Sequence, residues 1–225
     1  MRAIEIIEGV YAVGGPDLTG MDDAYIYLVD FGDEQVLIDA GAGGATDRLM
    51  SNIKDALKKE ANISHLILTH NHIDHVGGAE DIRSRTGAKI AVHENDAPAL
   101  ESGDPERTAA SWYGVTLAPM KIDILLKGEG GDFETGSGAL HWIHTPGHTP
   151  GSISVLLKCK GNKILFGQDI HGPFMPQFGS DKKQWRESMR RLIALEPDIL
   201  CEGHYGIYKS PERVKEFILS FFDKI

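Results

Sequence analysis

Residues 69–78 read Thr69-His70-Asn71-His72-Ile73-Asp74-His75-Val76-Gly77-Gly78, with four potential metal ligands inside six positions. The preceding His65-Leu66-Ile67-Leu68-Thr69 is apolar and β-branched enough to be a short buried strand. The run therefore starts where a strand ends, and such loops usually carry sites on a rigid scaffold. His70 and His72 are two apart, so in an extended segment both side chains point the same way. Asp74 and His75 follow on a turn and can face a second position nearby. Imidazole nitrogens with carboxylate oxygens suit a borderline divalent ion such as Zn²⁺. The plainer alternative is a solvated, histidine-rich loop. The buried strand before the run and Gly77-Gly78 after it argue for the site.

Working outward, strands and helices mix. Residues 4–13 predict a strand or hairpin. Residues 24–30 and 35–39 predict strands, separated by the turn Phe31-Gly32-Asp33-Glu34. Leu49, Ile53, Ala56 and Leu57 fall at helical spacing within 45–60. A helix is expected over 77–86 and a strand over Lys89–His93. Residues 94–120 contain Pro98, Pro105, Pro119 and the pair Trp112-Tyr113. They predict a short helix and an excursion that could act as a lid over a site. Strands are expected at 121–126, 139–144, 152–158, 163–166 and 199–201, with helices at 181–195 and 211–223. Ser210 is a suitable N-cap for the last helix, with Pro211 in its first turn.

Further histidines and acids again stand after strands. Thr145-Pro146-Gly147-His148-Thr149-Pro150-Gly151-Ser152, Phe166-Gly167-Gln168-Asp169 and Glu202-Gly203-His204 are such places, as is Leu37-Ile38-Asp39-Ala40-Gly41 upstream. Together with the run at 69–78, these five motifs, in this order, resemble the metallo-β-lactamase superfamily over about residues 5–210. The resemblance implies an α+β fold, a four-layer αβ/βα sandwich formed by residues 1–225 as one domain. It implies that His70, His72 and His148 hold one metal, that Asp74, His75 and His204 hold a second, and that Asp169 bridges both. Asp39 could cap the helix at 45–60; the resemblance makes it the acceptor that orients a ligand histidine, a partner such ligands generally need. His171 and Tyr205 are candidates for the substrate pocket, although a solvated histidine and a packed tyrosine read as well. His65, His93, His141 and His144 lie in or beside strands and read as structural.

The chemistry expected of this centre is hydrolysis. Two divalent ions about 3.5–4 Å apart share a water and lower its pKa toward ~7. Asp74 would orient the resulting bridging hydroxide and shuttle its proton. The bond cleaved would be an acyl bond of a thioester, lactone, ester or β-lactam-like amide. Zinc suits the ligands best, with iron or manganese also compatible. The rival reading on the same scaffold is a persulfide dioxygenase-like oxidoreductase with a single iron, whose motif also begins H-x-H-x-D-H.

Composition narrows the partners. With 23 basic and 33 acidic residues the formal charge is −10, which argues against a nucleic-acid face and against docking on an anionic membrane. A small-molecule substrate is expected; the sequence is silent on oligomeric state. Lys182-Lys183 and Arg190-Arg191 fit the solvated side of a helix. The two cysteines, Cys159 and Cys201, are isolated and read as reduced core residues. The first residues contain no apolar run of the secretory kind, and no stretch approaches the ~18 apolar residues of a membrane span. The expected location is the cytoplasm.

Overall fold

A computed structural model describes residues 2–224, apart from the side chain of Gln168. The first sheet has seven strands in chain order: β1 (Ile4–Ile7), β2 (Val10–Gly14), β3 (Ile26–Asp30), β4 (Gln35–Ile38), β5 (Ile63–Ile67), β6 (Lys89–His93) and β7 (Ile124–Leu126). The second has six: β13 (Ile207–Lys209), β12 (Ile199–Glu202), β11 (Asn162–Gln168), β10 (Ile153–Cys159), β9 (Ala139–His144) and β8 (Gly130–Glu134).

The layering follows from alternation along the strands. Because successive strand side chains point to opposite faces, β3 sends Tyr27 and Val29 one way and Leu28 the other. Tyr27, Val29, Val36, Ile38 and Ile67 meet Ile153, Val155, Leu157, Ile164 and Phe166 between the two sheets. Leu28, Leu37 and Leu66 face outward against Leu49 and Ile53 of α1 (Thr46–Leu57) and Ile82 of α3 (Ala79–Thr86). On the far side, Leu156, Leu165 and Leu200 receive Trp185, Met189 and Leu192 of α6 (Lys182–Ala194) and Val214 and Ile218 of α7 (Pro211–Leu219). The result is the expected four-layer sandwich, with helices outside and two sheets inside. Three apolar layers of this size supply most of the folding free energy, at about 25 cal/mol per Å² buried. The basic pairs of α6 are exposed, and Asp181 and Ser210 cap α6 and α7.

Several elements differ from the sequence expectation. The strand expected over His65–Thr69 starts earlier, at Ile63, and ends at Ile67, because Thr69 is drawn into hydrogen bonds with Asp39. The predicted strand at 121–126 shrinks to β7. Strands β8 and β13 were not anticipated: β8 reads Gly-Gly-Asp-Phe-Glu, with one inward apolar residue, and is held by pairing with β9. The segment 94–120 forms two short helices, α4 (Ala97–Ser102) and α5 (Ala110–Tyr113). The ligand run contains a single helical turn of its own, α2 (Ile73–Val76). No helix among the described residues is long and apolar enough to cross a membrane.

Candidate metal centre

The site lies at one edge of the sandwich, where loops from both sheets meet. The first sheet supplies His70, His72, Asp74 and His75 from the segment after β5. His72 is extended (φ −74°, ψ 145°) and α2 starts immediately after it. That change of backbone starts the helical turn that carries Asp74 and His75, with the His75 ring 4.1 Å from that of His70. The second sheet supplies His148 after β9, Asp169 after β11 and His204 after β12. Two backbone hydrogen bonds hold one tie between the halves in place: Ala24 N–H to the Asp74 carbonyl (3.1 Å) and Tyr25 N–H to the Gly203 carbonyl (2.7 Å).

The seven side chains form two clusters. Ligand atoms of His70, His72, His148 and Asp169 lie within 4.8 Å of one another, and so do those of Asp74, His75, Asp169 and His204. In the first, His72 Nδ1 is 2.9 Å from His148 Nε2, and His148 Nε2 is 3.7 Å from Asp169 Oδ2. In the second, His75 Nε2 is 3.1 Å and His204 Nε2 3.4 Å from Asp169 Oδ1, while His204 Nε2 is 3.2 Å from Asp74 Oδ2.

Hydrogen bonds behind the rings set which nitrogen faces the centre. Asp39 accepts from His75 Nδ1 at 2.8 Å and from the Thr69 hydroxyl and backbone N–H. With its proton on Asp39, the Thr69 oxygen is left to accept from His70 Nδ1 at 3.1 Å. His148 Nδ1 donates to the Pro173 carbonyl at 2.9 Å. His70, His75 and His148 thus turn Nε2 toward the cluster, whereas His72 faces His148 through Nδ1. Asp39 orients two histidines, one directly and one through Thr69, and does not cap α1, whose N-cap residue is Ala45.

The charges divide the same way. Burial holds His70 and His72 well below the usual imidazole range, helped by neighbouring histidines, and pushes His148 down to about 4. Burial also opposes charge on His75 and His204, but the carboxylates Asp169, Asp74 and, for His75, Asp39 outweigh it. His75 is raised well above its ordinary value and His204 to about 10. Asp74 and Asp169, buried as they are, are held low by those two cations. The donor set fits divalent metal: buried nitrogens without protons, carboxylates that need a cation, and a fully buried His70 Nε2 that makes no hydrogen bond. An isolated buried lone pair of this kind is costly unless something occupies it.

Sequence reasoning passed over Asp96. It is fully buried, accepts from Gly151 N–H and the Thr149 hydroxyl, both at 2.7 Å, and receives the Asn71 backbone N–H. Burial raises its pKa to about 6. One carboxyl thus ties the His70–His72 segment to the His148 loop. Nothing in the local pattern Glu94-Asn95-Asp96 signals this. Glu202, in the motif Glu202-Gly203-His204, is fully buried and accepts from the backbone of His204 (2.7 Å) and Tyr205 (2.8 Å) and from His171 Nδ1 (2.9 Å).

A cleft of about 210 Å³ opens over the cluster, lined by His72, Asp74, Trp112, Tyr113, Asp169, His171, Pro173, Phe178 and His204, with Ala109 behind. His171 therefore lies at the cleft. Tyr205 is 57 % exposed, packs beside His171 at 4.9 Å between ring centres, and does not line the cleft. His65, His93, His141 and His144 lie outside both clusters, with His93 stacked on His144 at 3.9 Å. Cys201 is buried between the sheets, Cys159 packs against the same core, and both are free thiols.

Two β-sheets closed by helices on their outer faces, with histidines and carboxylates gathered at one edge, define a metal-dependent hydrolase scaffold. The family model of the metallo-beta-lactamase superfamily matches residues 19–204, and the chain belongs to that superfamily. It is 29 % identical over 214 residues to the probable metallo-hydrolase YflN of Bacillus subtilis (strain 168), covering 80 % of each protein. It is 28 % identical over 192 residues to a hydroxyacylglutathione hydrolase of Acidiphilium cryptum (strain JF-5), covering 82 % of this chain and 66 % of that one. Among solved structures, a Cronobacter sakazakii metallo-beta-lactamase superposes with a TM-score of 0.81 at 21 % identity, over 100 % of this chain and 93 % of that one.

Proposed function

We propose that the chain hydrolyses an acyl bond in a small molecule, a thioester, lactone, ester or β-lactam-like amide, at a centre of two divalent ions, zinc first. His70, His72 and His148 would hold one ion, Asp74, His75 and His204 the other, with Asp169 between them. The observation that carries this reading is that Asp169 reaches both clusters, its two oxygens facing opposite sides. When bound, ions of this kind generate a nucleophile from water near neutral pH and polarise the acyl carbonyl.

The residues around them divide the remaining work. Asp74 is held by His204 at 3.2 Å and lines the cleft; its carboxylate would orient the attacking water and take its proton. Asp39 and Thr69 keep the imidazoles of His75 and His70 in the tautomer that points Nε2 inward. His171, with Nδ1 engaged by Glu202, presents its other nitrogen to substrate. The hydroxyacylglutathione hydrolase among the relatives supports a thioester as the first substrate class to try.

His148→Ala and Asp169→Ala proteins are expected to lose bound metal and hydrolysis together, by at least about a hundredfold in kcat/KM. Elemental analysis beside thioester and lactone assays reads both. Undiminished turnover by metal-free protein would overturn the reading. So would a single iron per chain with oxygen uptake on persulfide.

A further inference from the structure

The mouth of the cleft carries an aromatic wall that packing alone does not account for. Trp112 and Tyr113 end the four-residue helix α5, which left-handed residues bound on both sides (Ala109 φ 57°, Gly114 φ 66°). The backbone reversal on either side pushes the two rings out over the ligand cluster. Trp112 is 51 % exposed and Tyr113 40 %, although both line the cleft. Trp112 rests on Phe178 at 4.9 Å between ring centres, and Phe178 in turn meets the ring of His72 at 4.3 Å. An exposed tryptophan whose ring continues a line of aromatics to a candidate ligand offers a stacking face that solvent fills poorly.

Tyr113 also borders a second hollow. A hollow of about 350 Å³ shares Tyr113 with the cleft and is lined beyond it by Val115, Ile73, Thr19, Asp22 and Asp23. Asp23 is buried and engaged by the Ala42 N–H at 2.7 Å; Asp22 is exposed. The described residues lining the two spaces comprise aromatic, aliphatic, hydroxyl, histidine and carboxylate groups, with no lysine or arginine. A substrate anion reaching away from the centre would find like charge and no counter-ion, an arrangement that discriminates by repulsion.

Resting on the hydrolase reading, we propose that the substrate is an acyl compound whose acyl arm is aromatic or otherwise apolar and carries no negative charge. Trp112 stacks on that arm, backed by the fully buried Phe178, and Asp22 and Asp23 exclude its carboxylated counterparts. Two thioesters of N-acetylcysteamine test this with matched reactivity at the carbonyl: phenylacetyl and 4-carboxyphenylacetyl. The zinc-loaded protein is expected to prefer the neutral thioester by about tenfold or more in kcat/KM, equivalent to roughly 1.4 kcal/mol. Trp112→Ala is expected to raise KM for phenylacetyl about tenfold, with Trp112→Phe restoring most of it. Asp22→Lys is expected to narrow the charge preference by improving the carboxylated substrate. Binding of phenylacetamide and 4-carboxyphenylacetamide, followed by tryptophan fluorescence, gives a readout free of turnover; the neutral amide should bind more tightly. Equal handling of both members of each pair, with hydrolysis intact, overturns this inference alone. Absence of hydrolysis of both thioesters with the neutral amide still preferred overturns the thioester as this centre's substrate class and leaves the selectivity standing.

Discussion

Asp39 shows how much one side chain contributes when it holds others. Its backbone is left-handed (φ 64°), a conformation that costs a non-glycine residue roughly 1–2 kcal/mol. In that pose it collects Thr69 and His75 at once. Asp39→Asn replaces one acceptor oxygen with a donor facing Thr69 or His75. Metal affinity is expected to fall about 10–100-fold, measured by competition with a chromophoric chelator; an unchanged affinity would show that the rings hold their orientation without it.

Protonation belongs to the same scale. In metal-free protein His148 is depressed to about 4, with burial as the main cause. The unfolded chain takes up a proton near pH 6.5, so the stability from this neutral histidine is present above about 6.5 and lost as pH falls through about 4. His204, raised to about 10, behaves oppositely: its contribution is fully present below about 6.5 and lost as pH rises through about 10. Chelator-treated protein should therefore weaken between pH 6.5 and 4, by about 3 kcal/mol from His148 alone. Urea titrations at pH 7 and pH 4.5 check this; identical midpoints would contradict it.

At the scale of elements, α2 depends on backbone contact. A Cβ on Gly77 would collide with the Ala42 carbonyl and sit 2.9 Å from that of Ile73; one on Gly78 would collide with the Ala40 carbonyl. The backbone has little room to yield, so the turn carrying Asp74 and His75 is pressed directly against the loop after β4. Gly77→Ala is expected to cost about 1–3 kcal/mol and to lower metal content, because the displaced turn carries two of the candidate ligands. Gly87→Ala is the control: its φ is +77° with open space around it, so it should cost a similar 1–2 kcal/mol while keeping full metal content. Thermal unfolding and elemental analysis of both proteins separate strain from site damage. Strands β10 and β11 were readable from sequence because their short apolar runs, Val155–Leu157 and Ile164–Phe166, flank the turn signal Lys160-Gly161-Asn162. Strand β8 was not, because its glycines and acids have no such preference and its pairing with β9 decides it.

For the whole molecule, the centre is a joint between the two sheets. Four candidate ligands come from the first and three from the second, and Asp96 crosses the same seam. A ligand that binds only the folded arrangement stabilises it by mass action, about 2.7 kcal/mol at a hundred times its Kd. Zinc added to chelator-treated protein at that excess should raise Tm by about 5–11 °C for a chain of this size, and a Tm indifferent to metal would mean that the ligand set does not close.

The chain by itself determined the ligand types and the strands they follow, because strand alternation and the run His70–His75 are local properties. It also carried the five ordered motifs that mark the superfamily. The tertiary structure decided which residues meet: that Asp169 faces both clusters, that Asp39 serves two histidines through one threonine, and that Trp112, about forty residues from His72, stands at the same cleft. Those relations join segments far apart in sequence: pairing of β4 with β5 brings Asp39 to Thr69 and His75, and packing of the two sheets, driven by apolar burial between them, brings Asp169 to both clusters.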